Sequence, residues 1–139
     1  MTSLFLNIAT ACLLDEADRL LVVRKRGTQM FMLPGGKAER GETPMETVLR
    51  ELHEELGLTL DADHLRHLGH FQAQAANEPD HEVRAEVFVG RLSQAVGIRA
   101  EIEESCWIEL GSDDCATIAP LLAEKIMPAL RRHLIATTR

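Results

Sequence analysis

The sequence predicts an α/β fold in which a mixed β-sheet is covered by helices on both sides. Two observations carry this expectation. Strand-like runs flank one helix whose two ends are both written in the residues, and a second amphipathic stripe comes late in the chain. The 139 residues suffice for one domain with a real core and are too few for two ordinary ones, so residues 1–139 are read as a single domain.

Residues 4–14, LFLNIATACLL, are apolar on both alternating faces, as in a strand buried within a sheet. Asp15-Glu16-Ala17-Asp18 reads as a polar turn and Leu20 to Arg24 as the returning strand of a hairpin. Arg24, Lys25 and Arg26 then form a basic cluster before Gly27. It fits a solvated turn or, more sharply, a place that meets phosphate. Phe31 falls in a short strand ahead of a glycine pair, as core or as the wall of a pocket.

The helix begins at Thr43-Pro44-Met45-Glu46. Thr43 suits the N-cap, Pro44 the first helical position, and Glu46 can reach back to close a capping box. Gly57 supplies a residue able to take positive φ at the other end, and Leu58 the apolar contact that closes such a stop. At about 100° per residue, Met45, Val48, Leu49, Leu52 and Leu56 share one buried stripe.

Leu65 to Gln74 reads as the next strand. His64, His67 and His70 recur at every third residue, but along a strand His67 and His70 point to opposite faces, which argues against a histidine metal site. Ala75 to Glu82, with the turn signal Asn77-Glu78-Pro79-Asp80, reads as a hairpin connection. From Val83 to Leu92 the chain alternates, with Val83, Ala85, Val87 and Val89 on one face and Arg84, Glu86 and Phe88 on the other. Ile98 to Leu110 brings Glu101, Glu103 and Glu104 ahead of Trp107, which reads as core. A last helix is expected from about Ile118 to Leu134, where Ile118, Leu122, Ile126, Leu130 and Leu134 recur at i+4 and Pro128 should kink or interrupt it.

A formal net charge of −7 argues against a nucleic-acid polymer as the main partner, because no basic excess exists to neutralise its phosphates. A small phosphorylated ligand is still compatible if cations stand between it and the protein. Cys12, Cys106 and Cys115 are odd in number and lack CxxC spacing, which points to buried free thiols in a reducing compartment. The apolar run at residues 4–14 is too short to span a bilayer and has no preceding basic residue, so the expectation is a cytoplasmic protein with no membrane partner.

Glu51, Glu54 and Glu55 fall on one arc of the helix, where three like charges repel. A solvated acidic face is the plain reading; hard divalent cations, which take oxygen ligands, would turn the repulsion into coordination. The wider pattern is Gly36, five residues, Glu42, seven residues, then Arg50-Glu51-Leu52-His53-Glu54-Glu55-Leu56-Gly57-Leu58. It resembles the Nudix box of the diphosphate hydrolases, G-x5-E-x7-R-E-U-x-E-E-x-G-U with U aliphatic, and all nine specified positions match. Leu33-Pro34-Gly35-Gly36 also resembles the family's usual entry to the box.

The resemblance is tight over residues 33–58 and loose over most of the rest. It implies an α/β/α sandwich with a central mixed sheet, and Mg²⁺ or Mn²⁺ as cofactor. Glu54 and Glu55 would be the main metal ligands, Glu51 a ligand or general base, and a carbonyl of Gly35 or Gly36 would complete the shell. Arg50 would hold a box carboxylate in place, with Glu42 in the same framework. Glu101 is the first candidate for a further ligand or base by the resemblance, with Glu104 second and Glu86 also open. Arg24, Phe31, Gly35 and Lys37 are candidates for binding substrate. The implied activity is hydrolysis of a nucleoside diphosphate linked to a moiety X, with a (deoxy)nucleoside triphosphate as the leading substrate. ADP-ribose and nucleotide sugars are alternatives, and a non-catalytic nucleotide or ADP-ribose binding module is the reading from another class. Dimers are frequent among such proteins, so a homodimer is compatible, although oligomeric state is not written in the residues.

Overall fold

In the computed structural model, which describes residues 4–74, 80–93, 96–110 and 117–137, the chain forms a mixed sheet with helices on both faces. The strands are β1 (Leu4–Leu14), β2 (Leu20–Lys25), β3 (Gly35–Lys37), β4 (Arg66–Gln74), β5 (His81–Arg91) and β6 (Ile102–Ile108). Their order is β4-β5-β1-β2-β6, with β3 also paired to β1. β1 runs parallel to β5 over its whole length, from Leu4↔His81 to Leu14↔Arg91; the other pairings are antiparallel. This central place explains why β1 is apolar on both sides.

Helix α1 (Pro44–Leu56) covers one face. Its Val48, Leu52 and Leu56 pack with Ala9, Ala11, Leu13, Leu21, Val23, Phe88 and Ile102. Its caps form as the residues dictate: Glu46 N–H donates to Thr43 Oγ1 at 3.2 Å and Thr43 N–H to Glu46 Oε1 at 2.9 Å. Gly57 ends the helix at φ 68°, and Leu58 is buried beside it.

The other face is covered by a π-helical turn (Leu121–Ile126) running into α2 (Met127–Thr137). Leu122, Ile126 and Leu130 pack there with Cys12, Leu20, Val22, Ala85 and Val87. The interruption expected at Pro128 takes the form of this wider coil, in which Met127 N–H reaches back to Leu122 C=O. Widening the turn accommodates a residue with no N–H and a ring that crowds the preceding turn. The start expected at Ile118 is corrected: Ile118 instead forms a parallel bridge with Phe31. Cys12 is buried, but Cys106 is exposed, and Cys115 and most of the expected 75–82 connection lie outside the described residues.

The expectation that His67 and His70 face opposite ways is also corrected. A register shift between His67 and Gly69 inserts a bulge in β4, so both rings reach Glu86 on β5. One extra residue reverses the alternation beyond it. Among the described residues no helix is long and apolar enough to cross a membrane.

β3 lies against β1 through a glycine pair. Gly35 has φ 148°, and a Cβ there would run into the Ala9 carbonyl and the Thr10 backbone. Replacing Gly35 with Ala is therefore expected to destabilise the fold by about 2 kcal/mol or more, from steric overlap and backbone strain together. Urea unfolding of the variant measures it, and an unchanged midpoint would contradict this packing.

Candidate active site

The box builds its site at the contact between α1 and β3. Glu55 is buried at 4% exposure and accepts the Gly35 N–H at 3.1 Å. Burial pushes its carboxyl up to about 8, and the neighbouring Glu51 adds to this; the Lys25 ammonium and the Gly35 N–H act in the opposite direction. Gly36 leaves room for Glu51, since a Cβ at that position would lie 2.5 Å from the Glu51 carboxyl carbon. Glu54 is the exposed member of the three, with half its side chain in solvent.

Arg50 ties these groups to the loop. Its Nε donates to Glu42 at 2.6 Å and its Nη1 to Glu51 at 3.0 Å, while Glu54 lies 3.4 Å away. Nη2 donates to Glu42 at 2.9 Å and to the Lys37 carbonyl at 3.1 Å. Glu42 also accepts from Thr47 Oγ1 and from the Glu39 N–H. The Arg50 guanidinium beside it, helped by these donors, holds the Glu42 carboxyl down at about 2. The paired carboxylates raise the pKa of Arg50 in turn, Glu42 most strongly. Glu42 and Arg50 are thus joined by two hydrogen bonds.

Other candidates are placed differently. Arg24 is engaged by Glu104, with Nη2 to Oε1 at 2.7 Å, and by the Thr28 carbonyl. It follows Val22 on the sheet face opposite α1, so neither Arg24 nor Glu104 stands at the carboxylates. Glu86 is taken up by His67 and His70 rather than by Arg84 or the box. Phe31 is buried in the core against the α2 side. The Lys37 side chain is exposed, and its carbonyl rather than its ammonium meets Arg50. Glu101 is exposed at the turn into β6; two residues before it, the Arg99 N–H donates to the Glu55 carbonyl at 2.8 Å, docking this segment on the end of α1.

Lys25 was missed as an individual residue. It shares a face with Leu21 and Val23, which pack against α1, and its charge acts on Glu55. The alternation of β2 carried that signal.

A divalent cation fits this donor set on the structure's own terms. The three carboxylates are oxygen donors, and Glu51 and Glu55 stand against each other with Glu55 out of water. A hard cation would relieve both the repulsion and the burial. Among the described residues no three acidic, His or Cys side chains are grouped so as to hold a metal ion; Arg50 holds Glu51 and stands by Glu54.

The sequence profile of the NUDIX domain matches residues 5–120. The 8-oxo-dGTP diphosphatase of Escherichia coli (strain K12) is 38% identical over 58 residues, 39% of this chain and 45% of that protein. The matched segments span less than half the length of the first curated relatives. The crystal structure of a MutT protein from Methanosarcina mazei Go1 superposes with a TM-score of 0.77 at 21% identity, covering 100% of this chain and 99% of that one. The NUDIX domain of Shewanella oneidensis NrtR, solved in complex with ADP ribose, superposes with a TM-score of 0.74 at 19% identity, over 96% and 90% of the two chains. At such identities these two likenesses show the fold.

The Glu42 and Glu55 carboxyls have opposite effects on stability, in separate pH windows. Glu42 is depressed in the folded state, so its contribution is full above about 4.5 and is lost as pH falls towards about 2. Glu55 is raised, so the metal-free fold loses stability as pH rises from about 4.5 to about 8. In EDTA, thermal unfolding of Glu55→Gln is expected to exceed wild type by several degrees at pH 8.5 and to match it near pH 4. Glu42→Gln should differ from wild type at pH 7 and converge with it near pH 2. Parallel curves for wild type and Glu55→Gln across pH 4–9 would contradict the environment described for Glu55.

Proposed function

The chain belongs to the NUDIX domain family, and from that membership we propose that it is a metal-dependent pyrophosphohydrolase acting on the diphosphate of a nucleotide. The observation that carries this reading is the complete carboxylate set at the α1–β3 contact, with Glu55 buried on the Gly35 N–H and Glu51 seated over Gly36. Glu51, Glu54 and Glu55, with a carbonyl of Gly35 or Gly36, would hold Mg²⁺ or Mn²⁺. Bound there, such ions neutralise diphosphate oxygens and make water a better nucleophile.

The chain's own residues then have distinct tasks. Glu55 stays fixed by a backbone donor and by burial. Arg50 orients Glu51 and tethers the loop, so it is a positioning residue. Lys25 supplies a positive charge on the α1 face of the sheet, suited to a phosphate oxygen. Glu51, Glu54 or Glu101 takes the water proton in this reading, a role worth about two to four orders of magnitude in rate.

An apolar cavity of about 80 Å³ lies on the other face of the sheet. Ile8, Thr10, Met32, Leu33 and Leu121 are among its lining residues, so Met32 and Leu33 rather than Phe31 form the wall. Thr10 pairs with Gly35, so the cavity adjoins the box strand, and Thr10 Oγ1 is buried there without a hydrogen-bond partner among the described residues. An apolar slot with one free hydroxyl suits a planar base with a polar edge. A (deoxy)nucleoside triphosphate, oxidised ones included, is the leading substrate. The ADP-ribose complex of the NrtR domain keeps a binding module without turnover as the second reading.

Assay of a nucleotide panel with Mg²⁺ or Mn²⁺, alongside matched binding measurements, tests both readings. Glu54→Gln should lower kcat by more than the roughly 10- to 100-fold typical of losing a group behind a ligand, with little change in unfolding temperature. EDTA should abolish turnover. Hydrolysis that survives both treatments would sink the mechanism, and tight binding without turnover would favour the module.

A further inference from the structure

A second cleft, of about 160 Å³, opens on the α1 face of the sheet between the box loop and the outer strands. Asn7, Ala9, Ala38, His70, Arg84 and Glu86 are among the residues that line it. The sheet register accounts for its position. His70 pairs with Glu86, Glu86 with Ala9, and Ala9 with Gly36, so a single row of partners runs from the outer edge to the box. With strands about 4.8 Å apart, Glu86 stands roughly 10 Å from Gly36. The small Ala9 between them forms the floor.

The balance of charge in this cleft differs from that of the whole protein. Glu42, on its rim, is bound by Arg50 at 2.6 Å. Glu86 is bracketed by His67 Nε2 at 2.6 Å and His70 Nδ1 at 2.7 Å. Both carboxylates are therefore satisfied by other groups. Arg84, which alternation would pair with Glu86, lies instead over the Phe5 ring at 3.5 Å. Its Nε is buried and has no hydrogen-bond partner among the described residues. Buried guanidinium N–H groups are ordinarily satisfied, and the acceptor geometry they match is the fork of a phosphate or carboxylate.

We propose that this cleft is an anion site in which Arg84 binds the oxygens of a phosphate group. Phe5 fixes the guanidinium plane from one side, and the His67–Glu86–His70 bridge keeps Glu86 from occupying Arg84 itself. The phosphate belongs either to the far end of a nucleotide held at the box or to a separate small anion. The site needs no metal, so it stands or falls apart from the hydrolase reading.

Titration of the full chain with inorganic phosphate in EDTA tests it, followed by calorimetry and by the NMR signal of the Arg84 Nε–H. Wild type is expected to bind saturably with a shift of that signal, and Arg84→Gln to weaken binding at least about tenfold, or about 1.4 kcal/mol. Arg84→Lys should retain part of the affinity, and Glu54→Gln all of it. A nucleoside triphosphate that competes for the Arg84 signal would identify the phosphate as part of the nucleotide; independent occupancy would identify a separate anion, and both support the site. An unmoved Nε–H signal in wild type overturns the proposal without reference to any variant's folding. So does equal binding by a folded Arg84→Gln, or binding that disappears in Glu54→Gln.

Discussion

Much of this structure depends on one guanidinium among five surrounding oxygen groups. Glu42, Glu51, Glu54 and Glu39 all lie within ion-pair distance of Arg50, and the Lys37 carbonyl accepts from it as well. An acidic arc on a helix is destabilising by itself. A planar fork on the same helix converts it into an ordered network, and a lysine with its single charged atom would not reach these partners together. The same fork fastens the 38–43 loop to α1, so the carboxylates and the glycine strand keep their relative positions.

Burial decides the opposing contest at Glu55. A carboxyl pushed up to about 8 reports a group held against its preference for water. Val48, Leu52 and Leu56 lie on the same helix at 2% exposure or less. Each contributes about 1.5–3 kcal/mol by leaving water, which outweighs one unfavourable acid. The glycines of β3 permit the approach: Gly36 leaves the space that the Glu51 carboxyl fills, and Gly35 fits between Ala9 and Thr10. The site is thus a locally costly arrangement imposed by a well-packed helix, a common condition where function is built into a fold.

What could be read from the residues was mostly local. The cap of α1, its buried stripe, its glycine stop and the two faces of β5 rest on neighbours within a few positions, and all formed as expected. The Arg50–Glu42 pair was also legible, because the box resemblance spans both residues. What could not be read depended on pairing between distant segments. The bulge that turns His67 towards Glu86 exists only against β5, and the Arg24–Glu104 bond only against β6. Ile118 left the expected helix because Phe31 offered it a strand partner. Alternation along one strand names a face, but not which residue across the sheet will meet it.

The parallel union of β1 with β5 has a consequence for how the chain comes into being. Strand β1 is apolar on both sides, and its full-length neighbour begins only at His81. Until that segment leaves the ribosome, residues 4–14 have the β1–β2 hairpin and the short β3 contact for company. Closure over so long a stretch of chain is slow, and an unpaired apolar edge invites wrong partners meanwhile. The nascent protein is therefore most exposed to aggregation while β5 is still missing, and its β1 edge is the surface a chaperone would have to shield.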